Sequence, residues 1–379
     1  MLAPRLRAMG HDVIISAFYG LNGQGSTWHG IQVLPGGQDV YGNDILKAHY
    51  ERLDAELLIT LMDVWVVNPE QMQGMNMVHW HPVDCDPLSA ADQVSLRGTG
   101  ARSIAISKFG KRKLEDAGYQ PFYAPHAIDT NVFSVQDNRD KIRREFGVEG
   151  KFVIGMNSAN KDAMRKSYAE QFWAFAKFHA RHPDSVMLVH AATAAPQALD
   201  LPQISRALGV EEHIRFTDQY AYLTGLITPE HLANWYNALD LFSCASHGEG
   251  FGIPIIEAQA CGVPVVVTDC TAMTELCGAG WRVKGEPFWN SVHQAWWTKP
   301  HVAEIEKSYE KAYEAWRKGT LKRDKAREFA LQYDADRVEA ECWKPILEEL
   351  EKSLNADARD GRSGITRIAP GEKSRRPGQ

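Results

Sequence analysis

Two carboxylates in one glycine-rich stretch carry the most chemistry in this chain. The stretch is Ser246-His-Gly-Glu-Gly-Phe-Gly-Ile-Pro-Ile-Ile-Glu-Ala-Gln-Ala-Cys-Gly-Val-Pro-Val-Val-Val-Thr268, and the carboxylates are Glu249 and Glu257. An apolar run at Leu239–Ser243 reads as a strand that enters the turn, and a helix opens near Pro254. Proline fits the first turn of a helix, where its missing N–H costs nothing. Gly248, Gly250 and Gly252 let the backbone come close to a ligand. The unpaired N–H groups at such a helix start suit an anion of the diphosphate kind. Glu249 lies before the turn and Glu257 about one turn into the helix. Carboxylates so placed repel phosphate and suit hydroxyl donors, such as a sugar ring or a ribose.

Other residue types could also do chemistry. Lys161, Arg165 and Lys166 crowd a polar loop after the apolar run Lys151–Met156. His79 and His81 close the run Met77-Val-His-Trp-His81, and Asp63-Val-Trp65 follows an earlier apolar run. Asp84-Cys-Asp86 has the D-x-D form that can hold a divalent metal, but a plain acidic turn is the preferred reading. Six cysteines occur, none in a C-x-x-C pair. They read as free, buried thiols of a reducing compartment.

These residues need elements to position them. The 379 residues suffice for two domains with cores of their own. Apolar residues at 44% and charged residues at 24% exclude a wholly disordered or fibrous chain. A net charge of −6 argues against a bulk-basic nucleic-acid binder. No stretch approaches the ~18 apolar residues of a membrane span, and no signal-peptide core opens the chain. A soluble cytoplasmic protein is expected.

Along the chain, strands are expected at 11–18, 28–35, 56–62, 75–80 and 103–107. After a polar stretch at 137–150, a second strand series is expected at 151–156, 186–190, 213–216, 239–243 and 263–268. Helices are expected at 1–9, 45–52, 168–181, 229–238 and 255–261. Strands apolar on both faces that alternate with helices indicate parallel sheets covered on both sides. Residues 302–354 read as mostly helical, with Glu306 and Glu310 set against Lys307 and Lys311 on one helix. Domains are expected at 1–135 and 150–330, with a disordered tail at 355–379.

Here a resemblance enters. Glu-Gly-Phe-Gly-x-Pro-x-x-Glu-Ala-x-Ala-x-Gly-x-Pro-Val, beginning at Glu249, closely resembles the signature of retaining GT-B glycosyltransferases, in particular glycosyltransferase family 4. Tyr123-Ala-Pro-His-Ala-Ile-Asp-Thr-Asn-Val-Phe133 resembles that family's interdomain segment, with His126 and Ala127 replacing its Asn and Gly. Asn157-Ser-Ala-Asn-Lys-Asp-Ala-Met-Arg-Lys166 resembles its basic donor loop. The resemblance covers about Leu2 to Leu354.

It implies a GT-B architecture: α/β, with two doubly wound Rossmann-like domains facing across a cleft. A helix near 334–354 would return to the N-terminal, acceptor-side domain. The implied reaction moves a sugar from a nucleotide diphosphate sugar to an acceptor hydroxyl with retention, by front-face attack. Lys166, with Lys161 or Arg165, would neutralise the diphosphate, and Gly250, Phe251 and Gly252 would offer backbone N–H groups. Glu249 would hold the donor sugar, Glu257 the ribose, and His81 would line the acceptor side. No metal and no cofactor beyond the donor substrate are implied. The acceptor class stays open among glycan, lipid, protein and small molecule, with peripheral membrane contact admitted and no nucleic acid. A GT-B phosphorylase or epimerase, a nucleotide-sugar-binding protein without turnover, and a structural interaction module are the alternatives.

One departure from the family stands out. Leu2-Ala-Pro-Arg-Leu-Arg-Ala-Met-Gly-His-Asp-Val13 resembles the end of the family's first helix and the start of its second strand. The family's first strand and Gly-rich loop have no counterpart here, so exposed strand edges are expected.

Overall fold

The computed structural model describes residues 2–18, 21, 23–194 and 198–359. It divides into two compact units. One comprises the described parts of Met1–Pro125, Ser291–Ala295 and Asp336–Gln379; the other comprises His126–Asn290 and Trp296–Ala335.

In chain order the first unit has α1 (Leu2–Ala8), β1 (Ile15–Ser16), β2 (Ser26–Trp28), β3 (Ile31–Leu34), α2 (Leu46–Arg52), β4 (Leu58–Thr60), β5 (Met77–His81), α3 (Ala90–Thr99), β6 (Arg102–Ala105), α4 (Lys108–Asp116) and β7 (Phe122–Tyr123). Its strands fall into two sheets, ordered β1-β3-β2 and β4-β5-β6-β7. The second is all parallel. β5 is central, and all five of its residues are buried, as expected of a parallel strand covered on both faces. β1 and β4 are edge strands of their sheets. The expected strand at 11–18 is reduced to Ile15–Ser16, and that at 28–35 becomes a hairpin turning at His29 and Gly30, both at positive φ.

The second unit has α5 (Arg139–Glu145), β8 (Phe152–Asn157), α6 (Tyr168–His179), β9 (Ser185–His190), α7 (Leu201–Ala207), β10 (Ile214–Phe216), α8 (Gln219–Leu223), α9 (Pro229–Ala238), β11 (Leu241–Cys244), α10 (Ile253–Ala260), β12 (Val265–Thr268), α11 (Thr271–Leu276), β13 (Gly280–Val283), β14 (Gly285–Asn290), β15 (Ala295–Pro300), α12 (Val302–Arg317) and α13 (Arg323–Ala330). Six strands form one parallel sheet in the order β10-β9-β8-β11-β12-β13. The order reverses between β8 and β11, and the carboxyl ends at such a switch point leave room for a ligand.

Tyr168, Phe172, Phe175 and Phe178 lie on one face of α6 and are buried with Phe152 and Tyr309 in the main core. Glu306 and Glu310 bind Arg181, just beyond the end of α6, rather than Lys307 or Lys311. The hairpin of β14 and β15 corresponds to no element expected from the sequence.

The segment 126–149 belongs to the second unit, not to a first domain ending at 135. Main-chain bonds explain this: Ile128 N–H donates to Tyr333 O, and Ala335 N–H donates to Ile128 O. Arg139 and Arg143 also reach the buried Asp240 at 2.7 and 3.1 Å.

After α13 come α14 (Ala335–Val338), a π-turn at Glu339–Trp343 and α15 (Lys344–Arg359). Trp343 packs edge-on against Trp80 of β5, with ring centroids 4.8 Å apart. Arg102 pairs with Glu349 at 2.6 Å. Of the expected tail, 355–359 continue α15 and 360–379 lie outside the described residues. Among the described residues no helix is long and apolar enough to cross a membrane.

Trp343 and Trp80 are both nearly fully buried. Trp343→Ala is therefore expected to cost about 3–5 kcal/mol, read as a lowered midpoint for the first unit in denaturant unfolding. Replacement of the exposed Trp173 should leave that midpoint unchanged.

Candidate functional site

The switch point of the second unit brings two loops together. One follows β8 and carries Lys161, Arg165 and Lys166; the other follows β11 and carries Ser246 to Gly252. The first loop is shaped by Asp162, whose carboxylate accepts from the N–H groups of Met164 and Arg165 at 2.9 and 2.6 Å. The second is docked on the first by the His247 N–H, which donates to Arg165 O at 2.7 Å.

Glu249 is the centre of the arrangement. It is 6% exposed, so its charge needs partners. Its Oε1 accepts from Lys166 Nζ at 2.5 Å and from Ser246 Oγ at 2.7 Å. Its Oε2 accepts from Arg165 Nη1 at 3.1 Å. Its backbone N–H is held by Thr271 Oγ1 at 3.1 Å. Burial by itself would raise the carboxyl pKa, but Lys166 and Arg165 outweigh it and hold the group at about 2. Two cations thus meet one carboxylate. Arg165 supplies the second cation to Glu249, and Lys161 lies exposed on the same loop.

The helix start lies immediately beyond. Gly252 is the N-cap of α10 at φ +115°, and no side chain caps it. A Cβ there would be strained and would press on Ile255. Gly250 and Phe251 are buried. The Phe251 ring packs edge-on against His126 and Tyr333, at 5.4 and 5.7 Å, so this side chain serves packing.

Glu257 is half-buried on α10 and accepts from Tyr236 Oη at 2.8 Å. Burial pushes its carboxyl up to about 7, against the opposing pull of that bond. Glu249 is therefore ionised throughout the neutral range, whereas Glu257 titrates within it.

The two histidines of β5 occupy a different environment. His81 is fully buried; its Nδ1 faces Pro82 O at 3.3 Å and its Nε2 faces Ser103 Oγ at 3.3 Å. Both ring nitrogens are thus used inside the first unit, contrary to the expectation of an imidazole offered to an acceptor. The strand is covered on both faces, which leaves its terminal side chain no outward side. His79 lies between Thr60 and Thr99 in the same way. Burial lowers both, to about 3 for His79 and about 4 for His81. Asp86 of the D-x-D sequence pairs with Lys113 at 3.1 Å. Among the described residues no cluster of three or more His, Cys, Asp or Glu side chains could hold a metal. All six cysteines are free thiols.

Ser246, Thr271, Asn157 and Tyr236 belong to the site although sequence reasoning gave them no role. Ser246, three residues before Glu249, carried a local signal; Tyr236 carried none.

Residues 164–289 match the family model described as Glycosyl transferases group 1. The mannosylfructose-phosphate synthase of Agrobacterium fabrum is 29% identical over 193 residues, which cover 48% of this chain and 38% of that protein. A lipopolysaccharide core biosynthesis mannosyltransferase of Rhizobium meliloti is 27% identical over 160 residues, covering 41% of this chain and 42% of that one. The chain thus spans less than half the length of these curated relatives. Sucrose-phosphate synthase from Thermosynechococcus elongatus superposes with a TM-score of 0.70 at 14% identity, over 94% of this chain and 92% of that one. An Anabaena protein, HepE, solved with UDP-glucose, superposes with a TM-score of 0.62 at 18% identity, over 86% and 87%. The fold class is GT-B.

Lys166→Met should destabilise the protein at pH 7 by about 1.5–3 kcal/mol, with Arg165 remaining as a partner. The depressed Glu249 pKa contributes stability that is present above the unfolded value near 4.5 and lost as pH falls towards 2. The gap between wild type and variant is therefore expected to narrow from pH 5 to pH 2 in a series of unfolding titrations. A gap independent of pH would show that the pair does not set the Glu249 charge.

Proposed function

We propose that this chain, with GT-B fold and a segment matching Glycosyl transferases group 1, transfers a sugar from a nucleotide diphosphate sugar to an acceptor hydroxyl. The observation that carries the reading is the pairing of Lys166 and Arg165 with the single carboxylate of Glu249, beside an uncapped helix start. These two cations, with Asp162 a further 3.7 Å partner of Arg165, are placed to attract a diphosphate. Binding of the diphosphate would engage Lys166, Arg165 and the N–H groups near Gly250 to Gly252, stabilising the leaving group as its charge develops. Glu249, relieved of part of its cation contact, would accept from donor-sugar hydroxyls. Glu257 would accept from the ribose hydroxyls. His81 is given no contact with substrate.

Transfer proceeds with retention by front-face attack. The bond from the anomeric carbon to the β-phosphate oxygen breaks. The acceptor oxygen bonds to that carbon from the same face, and its proton passes to the departing diphosphate. No metal is assigned a step. The acceptor is a hydroxyl of a glycan, lipid or small molecule, and the reaction takes place in the cytoplasm.

The test is a binding and turnover screen against UDP-, GDP- and ADP-sugars. One donor is expected to bind and to hydrolyse slowly without acceptor, and Lys166→Ala should lower the rate roughly 10²–10³-fold. Product NMR should show the donor's anomeric configuration kept. Binding without turnover on any acceptor class would replace the transferase by a nucleotide-sugar-binding protein. Phosphate-dependent release of a sugar phosphate would replace it by a phosphorylase. Absence of binding to every donor would overturn the reading altogether.

A further inference from the structure

Tyr236 lies on α9, outside both loops of the site and outside the glycine-rich motif. It is fully buried, with its ring 6.2 Å from that of Phe133, 5.1 Å from Trp235 and 5.6 Å from Phe242. Such packing leaves the ring one position. Its hydroxyl makes two hydrogen bonds: Asn157 Nδ2 donates to Oη at 2.8 Å, and Oη donates to Glu257 Oε2 at 2.8 Å. The direction of the second follows from the first. The asparagine amide supplies a proton to Oη, and an ionised carboxylate can only accept, so with Glu257 ionised the phenolic proton points at it. Burial also raises the Tyr236 pKa well above its ordinary value, which keeps that proton in place.

The three residues come from separate elements. Asn157 ends β8 at the switch point, Tyr236 is on α9 and Glu257 is on α10. The terminal torsion of a glutamate is broad, so an unsupported carboxylate on a half-buried helix face would sample many orientations. Here Oε2 is tied, and Oε1 accepts no hydrogen bond from any described residue. One oxygen and one further lone pair on the other are left for a ligand.

We propose that Tyr236, backed by Asn157, is a positioning residue that fixes the Glu257 carboxylate to accept the vicinal hydroxyls of a nucleotide ribose. This rests on the reading of Glu257 given above. The relay makes the site select ribonucleotide donors, because a rigid, partly desolvated acceptor gains only from a hydroxyl placed opposite it. Without the phenol the carboxylate would remain but lose its direction. Tyr236 touches no substrate in this arrangement.

The experiment is calorimetric binding of the nucleoside diphosphate the protein prefers among UDP, GDP and ADP, beside its 2′,3′-dideoxy counterpart. Wild type is expected to bind the ribo form more tightly. Glu257→Ala should abolish the preference. Tyr236→Phe keeps the ring and should weaken the ribo form roughly 5- to 12-fold, the loss of one hydrogen bond, while the dideoxy form binds as before. Asn157→Ala should give a smaller loss of the same kind. The positioning role is overturned if Tyr236→Phe binds both forms as wild type does, or weakens both equally, which would be a purely structural effect. Should wild type fail to distinguish the two forms, or Glu257→Ala keep the preference, the ribose assignment of Glu257 falls and the role of Tyr236 falls with it.

Discussion

A carboxylate that is almost wholly buried must be met by positive charge or give up its own. At Glu249 the chain meets it with Lys166, Arg165 and the Ser246 hydroxyl. An isolated buried carboxylate would cost several kcal/mol. This one requirement orders the loop after β8 and pins the turn after β11 against it. It also holds two cations in fixed positions at the site. An anion arriving there competes for cations that the protein already holds in position, so little reorganisation is needed.

The arrangement depends in turn on the sheet of the second unit. Its strand order reverses between β8 and β11, and the loops leaving the carboxyl ends of these neighbours meet there through the Glu249 ion pairs and the His247–Arg165 main-chain bond. Asp240, at the foot of β11, holds the opposite end of the same strand pair. It accepts from Val153 N–H at 2.9 Å and from Arg139 and Arg143. Charge is thus buried at both ends of β11, and each time it is paired. Glu257 has weaker compensation, a single neutral donor, and its pKa near 7 reflects that difference. Two glutamates of one motif therefore carry different charge at neutral pH because their partners differ.

Much of this was legible in the residue order. Apolar runs of strand length marked β5, β6, β8, β9, β11 and β12 to within a few residues, since a parallel strand covered on both faces must be apolar throughout. Gly252 and Pro254 marked the start of α10 because helix starts have few chemical solutions. The basic loop was visible, yet spacing left Lys161 and Arg165 as equals for the second cation. Other features left no usable trace. His81 looked like a site residue because it ends a strand, while its ring is used by Pro82 and Ser103 inside the unit. Glu306 and Glu310 looked like intrahelical partners of lysines, while Arg181 on another segment takes both. The hairpin at 285–300 escaped notice because its mixed polar and aromatic residues lack a continuous apolar run.

The sequence by itself determined most strands and helices of the two parallel sheets and which loop carries each charge, because periodicity, glycine and proline act locally. It also determined that two carboxylates flank an uncapped helix start. Only the tertiary structure decided which cation meets Glu249, that Asn157 and Tyr236 stand behind Glu257, and that His81 is enclosed. Those outcomes join residues about 20 to 84 positions apart. Their pairing is set by strand order and helix packing, and no local pattern encodes it.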